Sequence, residues 1–116
     1  MQDKDLLGTW ICYKIRMGSK EQLKEKNDTS QWTFRDDNTL AYEFITNGEK
    51  KTDPMTRRWK INYREDGPVI LINEVETYKV ISLENDVLIL ESIKGEGMRS
   101  YYANVAKYDL GVDVLP

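Results

Sequence analysis

The stretch Asp5-Leu6-Leu7-Gly8-Thr9-Trp10-Ile11-Cys12-Tyr13-Lys14 decides how the rest of the chain is read. A glycine and a tryptophan open a run whose side chains alternate, and alternation places successive residues on opposite faces of a β-strand. The strand is expected over Thr9–Met17 (strand A). Its two faces conflict. Trp10 shares a face with Cys12, Lys14 and Arg16, whereas Ile11, Tyr13, Ile15 and Met17 make the other, more apolar face. A bulge that switches faces after Trp10 would resolve this. So would a cover over the outside of strand A, drawn from the chain's own tail or from a second subunit. Solvent-facing Lys14 and Arg16 are the simpler reading; turned inward, they would be charged ligand contacts.

The period of two runs almost to the end of the chain. Strands are expected at Gln31–Arg35 (B), Thr39–Asn47 (C), Thr56–Arg64 (D), Val69–Asn73 (E), Glu76–Leu83 (F), Val87–Ile93 (G) and Met98–Lys107 (H). Turns separate them at Asp36-Asp37-Asn38, Asp66-Gly67-Pro68, Glu84-Asn85-Asp86 and Lys94-Gly95-Glu96-Gly97. Asn47-Gly48 opens a polar connection. Gly18–Ser30 alone breaks the rhythm. Ser19 can cap a short helix over Lys20–Lys26, marginal by itself, and a lid-like loop is equally compatible. The end, Tyr108–Pro116, alternates Leu110, Val112 and Val114, which suits either a ninth strand or a frayed terminus.

Eight strands in succession must dispose of two edges, and closing the sheet removes both. Near-uniform hairpin connections favour an all-β, eight-stranded antiparallel up-and-down barrel over a Greek-key sandwich. The 116 residues suit one domain spanning 1–116, with the barrel over about residues 6–107 and an apolar tail at 108–116. A net charge of -3 with scattered cations argues against nucleic acid as the main partner. Lys50-Lys51 and Arg57-Arg58 read as a solvated edge. No apolar run approaches the length of a transmembrane helix. The chain has no histidine, which removes histidine-based catalysis and histidine-ligated metals. Cys12 is the one cysteine and reads as a small buried hydrophobe. Glu43, Glu76 and Glu91 fall within strands at no spacing that argues for a catalytic pair. No enzyme activity, cofactor or metal is expected.

Leu7-Gly8-Thr9-Trp10 resembles the Gly-x-Trp opening of lipocalins and the Gly-Thr-Trp opening of fatty-acid-binding proteins. With Trp32-Thr33-Phe34 before an Asp-rich turn, Trp59-Lys60-Ile61, and the hairpin from Tyr78 to Leu90, the chain is most similar to small bacterial lipocalin-like domains of the calycin group. The similarity to fatty-acid-binding proteins is more distant. Their Arg-x-Tyr carboxylate grip has a near match in Arg99-Ser100-Tyr101, but not at the end of the chain. The resemblance implies that Gly8, Trp10 and a cation stacked on the indole plug the closed end of the barrel. Antiparallel closure makes Lys107, not Arg99, that cation. The aromatic stripe Trp32, Phe34, Tyr42, Phe44, Trp59, Tyr63, Tyr78 and Tyr102 is expected to line an apolar pocket for a small molecule, or else to fill the barrel solid. The rival function is a structural or protein-interaction module of the cell envelope, with a homodimer through strand A or the tail. The resemblance also implies an extracytoplasmic setting, reached with a leader this chain does not show.

Overall fold

A computed structural model describes residues 1–95 and 97–108, with Lys107 and Tyr108 described by backbone alone. The expected turn residue Glu96 and the tail residues Leu110, Val112 and Val114 lie outside the described residues. Ten strands follow one another: β1 (Gly8–Met17), β2 (Lys20–Leu23), β3 (Asp28–Phe34), β4 (Thr39–Thr46), β5 (Glu49–Thr52), β6 (Arg57–Arg64), β7 (Gly67–Ile72), β8 (Val75–Glu84), β9 (Val87–Ser92) and β10 (Arg99–Asn104). A 3-10 turn at Asp3–Leu6 precedes them, and a helical turn, α1 (Val105–Tyr108), follows. Eight strands close an antiparallel barrel in the order β1-β3-β4-β6-β7-β8-β9-β10, with β10 pairing back to β1.

The other two strands were not legible as strands. Lys20–Leu23, where a short helix was allowed, folds back on β1 after a turn at Gly18, whose φ of 60° suits glycine. Glu49–Thr52 likewise folds back on β4 through Asn47-Gly48. Both are exposed along their whole length and carry no apolar alternation. Their stability comes from main-chain bonds to an open strand edge, and their charges blunt the new edge. Strand H also ends early. The Asn104 side-chain oxygen accepts the Ala106 N–H at 3.1 Å, which turns the chain into α1 instead of prolonging β10 to Lys107.

The conflict on the first strand is resolved by a bulge. Against β10, Cys12 pairs with Tyr102 and Lys14 with Tyr101, which leaves Tyr13 extra. Before the bulge Trp10 and Cys12 face inward; after it Ile15 takes the inward side and Lys14 and Arg16 face out. The outer side of β1 is covered too: Ile11, Tyr13, Ile45, Val87, Tyr101 and Ala103 form a second, smaller apolar cluster. Lys14 is not solvated as expected. Its ammonium lies 4.2 Å from the Tyr101 ring centroid and 3.8 Å from Glu21, and the side chain is 13% exposed.

Three hairpins turn on residue pairs that both have positive φ: Asn47-Gly48, Asn73-Glu74 and Asn85-Asp86. Asparagine tolerates this region, and the twist of such turns matches that of the strands they join.

Candidate functional site

The two ends of the barrel differ. At the base, Leu6 from the 3-10 turn is fully buried, and the Trp10 indole N–H donates to its carbonyl at 2.8 Å. Phe34, Leu40, Trp59, Ile70 and Leu88 complete a closed layer, with Phe34 and Trp59 meeting edge to face at 5.4 Å. Trp59 also donates its indole N–H to the Arg35 carbonyl at 3.1 Å. Each indole thus satisfies its polar atom while burying its ring.

Two seams set the other end apart. β1 pairs with β3 only through Gly8–Ile11, after which it pairs with β2. β4 pairs with β6 only through Thr39 and Leu40, after which it pairs with β5. Above these points the barrel wall parts. The first gap is stitched by the Thr29 hydroxyl, which donates to the Cys12 carbonyl at 2.6 Å. A cavity of about 310 Å³ lies there, lined by Cys12, Ile15, Ser30, Tyr42 and Phe44 from the inward faces, with Lys24 at its rim.

An aromatic ladder leads down from this opening. Phe44, 46% exposed, meets Tyr42 edge to face at 4.7 Å. Tyr42 lies 4.2 Å from Trp32, and Trp32 meets Tyr78 at 6.4 Å. The Trp32 indole N–H donates to the Tyr102 hydroxyl at 3.3 Å. Burial pushes the Tyr102 phenol well above its ordinary pKa, and burial likewise raises Tyr78. Both are therefore neutral hydroxyls at physiological pH. Burial also pushes the Cys12 thiol up to about 11, so it presents an unionised, weakly nucleophilic group to the cavity.

The expected site residues thus divide into two sets. Tyr42, Phe44, Trp32, Tyr78 and Tyr102 come together between the opening and the centre. Phe34 and Trp59 belong to the closed base beside Trp10. Tyr63 leaves the stripe altogether: it sits at the tip of the β6–β7 hairpin, 51% exposed, and its hydroxyl donates to Asp3. Gly8 has φ 123°, and a β-carbon there would lie 3.7 Å from the Asn104 amide nitrogen. The side chain of Lys107 lies outside what is described. Arg99 pairs in register with Arg16, at the far end of β1 from Trp10, and its guanidinium bonds Glu91 at 3.2 Å. The strand carboxylates Glu43, Glu76 and Glu91 are matched to separate partners: Gln31, Arg64 and Arg99.

Arg57 was missed. It read as part of a solvated edge, yet it pairs with Leu40 and shares the inward side of β6 with Trp59. Its guanidinium carbon lies 5.7 Å from the Trp32 ring and 5.5 Å from the Tyr42 ring, and it is ion-paired to Asp53 at 3.0 Å. The side chain is only 14% exposed. The signal was parity: Arg57, Trp59 and Ile61 are spaced by two.

A closed eight-stranded meander, sealed at one end and parted at the other, defines a calycin-type barrel of the size that holds one small ligand or fills with side chains. A family profile described as a lipocalin-like domain matches residues 6–90, and the chain belongs to that family. No curated protein and no solved structure matches the chain, so the more distant similarity to fatty-acid-binding proteins gains no support.

Proposed function

We propose that this protein is a non-catalytic binder of a small, mostly apolar molecule, held in the upper half of its barrel. The observation that carries this reading is the contrast between the two ends. Inward side chains at the base such as Leu6, Trp10, Phe34 and Trp59 are nearly inaccessible, whereas Ile15, Tyr42 and Phe44 remain partly or largely exposed around a cavity of about 310 Å³. That volume is at the lower bound of small-molecule sites; Cys12, Ile15, Tyr42, Phe44 and Ile45 give an apolar half of the lining, and Lys24, Asp28, Thr29, Ser30 and Thr46 a polar half. The test is titration with retinol and with a fluorescent fatty acid, following tryptophan quenching and energy transfer. Saturable binding with one site per chain is expected. No quenching by any apolar probe sinks the reading.

A second reading is a structural or protein-interaction module; the apolar cluster on the outer side of β1 and β10 is its basis, though that cluster is already buried within one chain. Light scattering on the full chain and on a chain ending at Lys107 separates the two: a monomer in both cases removes this alternative. An extracytoplasmic setting belongs to the proposal, supported by the family alone. Among the described residues no helix is long and apolar enough to cross a membrane. The encoded sequence upstream of Met1 tests the setting.

A further inference from the structure

We infer that Arg57 anchors an acidic head group, so that the ligand of this barrel is an apolar molecule bearing a carboxylate. The inference rests on the binding reading above and narrows it to one chemical class.

An arginine inside a barrel is costly unless every donor is used. Arg57 is not fully used. Nη2 bonds the Asp53 carboxylate at 3.0 Å. Nη1 is buried and has no hydrogen-bond partner among the described residues. The guanidinium rests instead on the faces of Trp32 and Tyr42, a weaker use of a donor than a charge-assisted bond. Asp53 is itself shared, since its other oxygen accepts the Met55 N–H at 2.9 Å; that bond first, and Arg57 second, hold its carboxyl below the usual range.

The position is suited to a head group. Tyr42 lines the cavity and also carries the guanidinium, so the ladder from Phe44 ends at the cation. A ligand whose tail follows the rings brings its polar end to Arg57. Because Nη1 is closed off, the carboxylate must draw the guanidinium away from the two rings. The long, jointed side chain allows that movement, and the ring contact is exchanged for a bond to a charged oxygen. An alcohol of the same length offers no charge for that exchange.

The experiment compares decanoic acid with decanol at neutral pH, by displacement of a bound apolar dye. The intact protein should bind the acid about tenfold more tightly than the alcohol, the ratio a charge-assisted bond supplies. Arg57→Gln should remove the preference and leave the alcohol's affinity within about twofold, because the apolar contacts remain. Asp53→Asn, which keeps the oxygen facing Met55 but removes the competing charge, should raise the acid's affinity several-fold. It serves as an independent arm should Arg57→Gln fail to fold. Equal affinity for acid and alcohol in the intact protein overturns the inference and leaves the apolar-binding reading standing. So does an acid preference that survives Arg57→Gln, or an acid affinity that Asp53→Asn does not raise. If neither compound displaces the dye, the inference falls; if the dye itself does not bind, the apolar-binding reading falls with it.

Discussion

Trp32 lies at the junction between the closed base and the open end, and replacing it by phenylalanine tests how that junction is held. The ring is 6% exposed, stacks on Tyr42 at 4.2 Å and donates its indole N–H to Tyr102 at 3.3 Å. Trp32→Phe keeps an aromatic ring and removes that donor. The lost bond is worth about 1 kcal/mol net, and leaving the buried Tyr102 hydroxyl without its partner adds about 1–3 kcal/mol. Shrinking the ring opens a void beside Arg57, at a further cost of about 1 kcal/mol. The expected total is about 3–5 kcal/mol. Urea unfolding followed by circular dichroism measures it without relying on the tryptophan that has been removed. Tyr102→Phe completes a double-mutant cycle. If the bond matters, removing both partners should cost about 1–2 kcal/mol less than the sum of the single losses, since a phenylalanine at position 102 leaves nothing unpaired. Losses that add to within about 0.3 kcal/mol would refute the hydrogen-bond argument and leave only packing.

Three further predictions address separate parts of the molecule. Gly8→Ala should destabilise the fold by about 1–3 kcal/mol through the backbone alone, because φ 123° strains any β-carbon while the space beside Asn104 is adequate; a thermal-melting shift measures this, and an unchanged midpoint would show the strand start relaxing. Alkaline pH should unfold the protein. Burial foremost raises Tyr13 to about 12 and holds Tyr102 well above its ordinary value, so the folded state favours both phenols over an unfolded value near 10. Their contribution is complete below pH 10 and is lost as pH rises toward 12, so tyrosinate absorbance should appear together with loss of β-sheet signal. Phe44→Ala should change stability by less than about 1 kcal/mol, since the ring is 46% exposed, while weakening retinol binding several-fold; a large stability loss with unchanged binding would make Phe44 a core residue instead of a rim.

The aromatic positions were legible for a simple reason. Trp32 and Phe34, Tyr42 and Phe44, and Trp59 and Ile61 are each two residues apart on their strand, and burial on one side of a sheet writes that period into the chain. Tyr63 obeys the same parity and still points into solvent, because parity does not record where along its height the barrel wall ends. Arg57 fails in the opposite sense. Its charge suggested a surface; its parity with Trp59 points inward, and only the packing across the barrel places it against two rings.

By itself the sequence determined an all-β chain of eight barrel strands, the turns between them and the apolar stripe that faces inward. These depend on local alternation and on residues that accept positive φ, both of which are visible one segment at a time. The tertiary structure decided the rest. β2 and β5 are strands only because β1 and β4 leave their seams and expose main-chain groups, and no side-chain pattern announces such a vacancy. The bulge at Tyr13 exists because one strand must bury Trp10 inside the barrel and Ile11 outside it, and then return Ile15 to the interior. The grouping of Arg57, Asp53, Trp32 and Tyr42 depends on the stagger of β4 against β6, a register set across the closed sheet and therefore invisible along the chain.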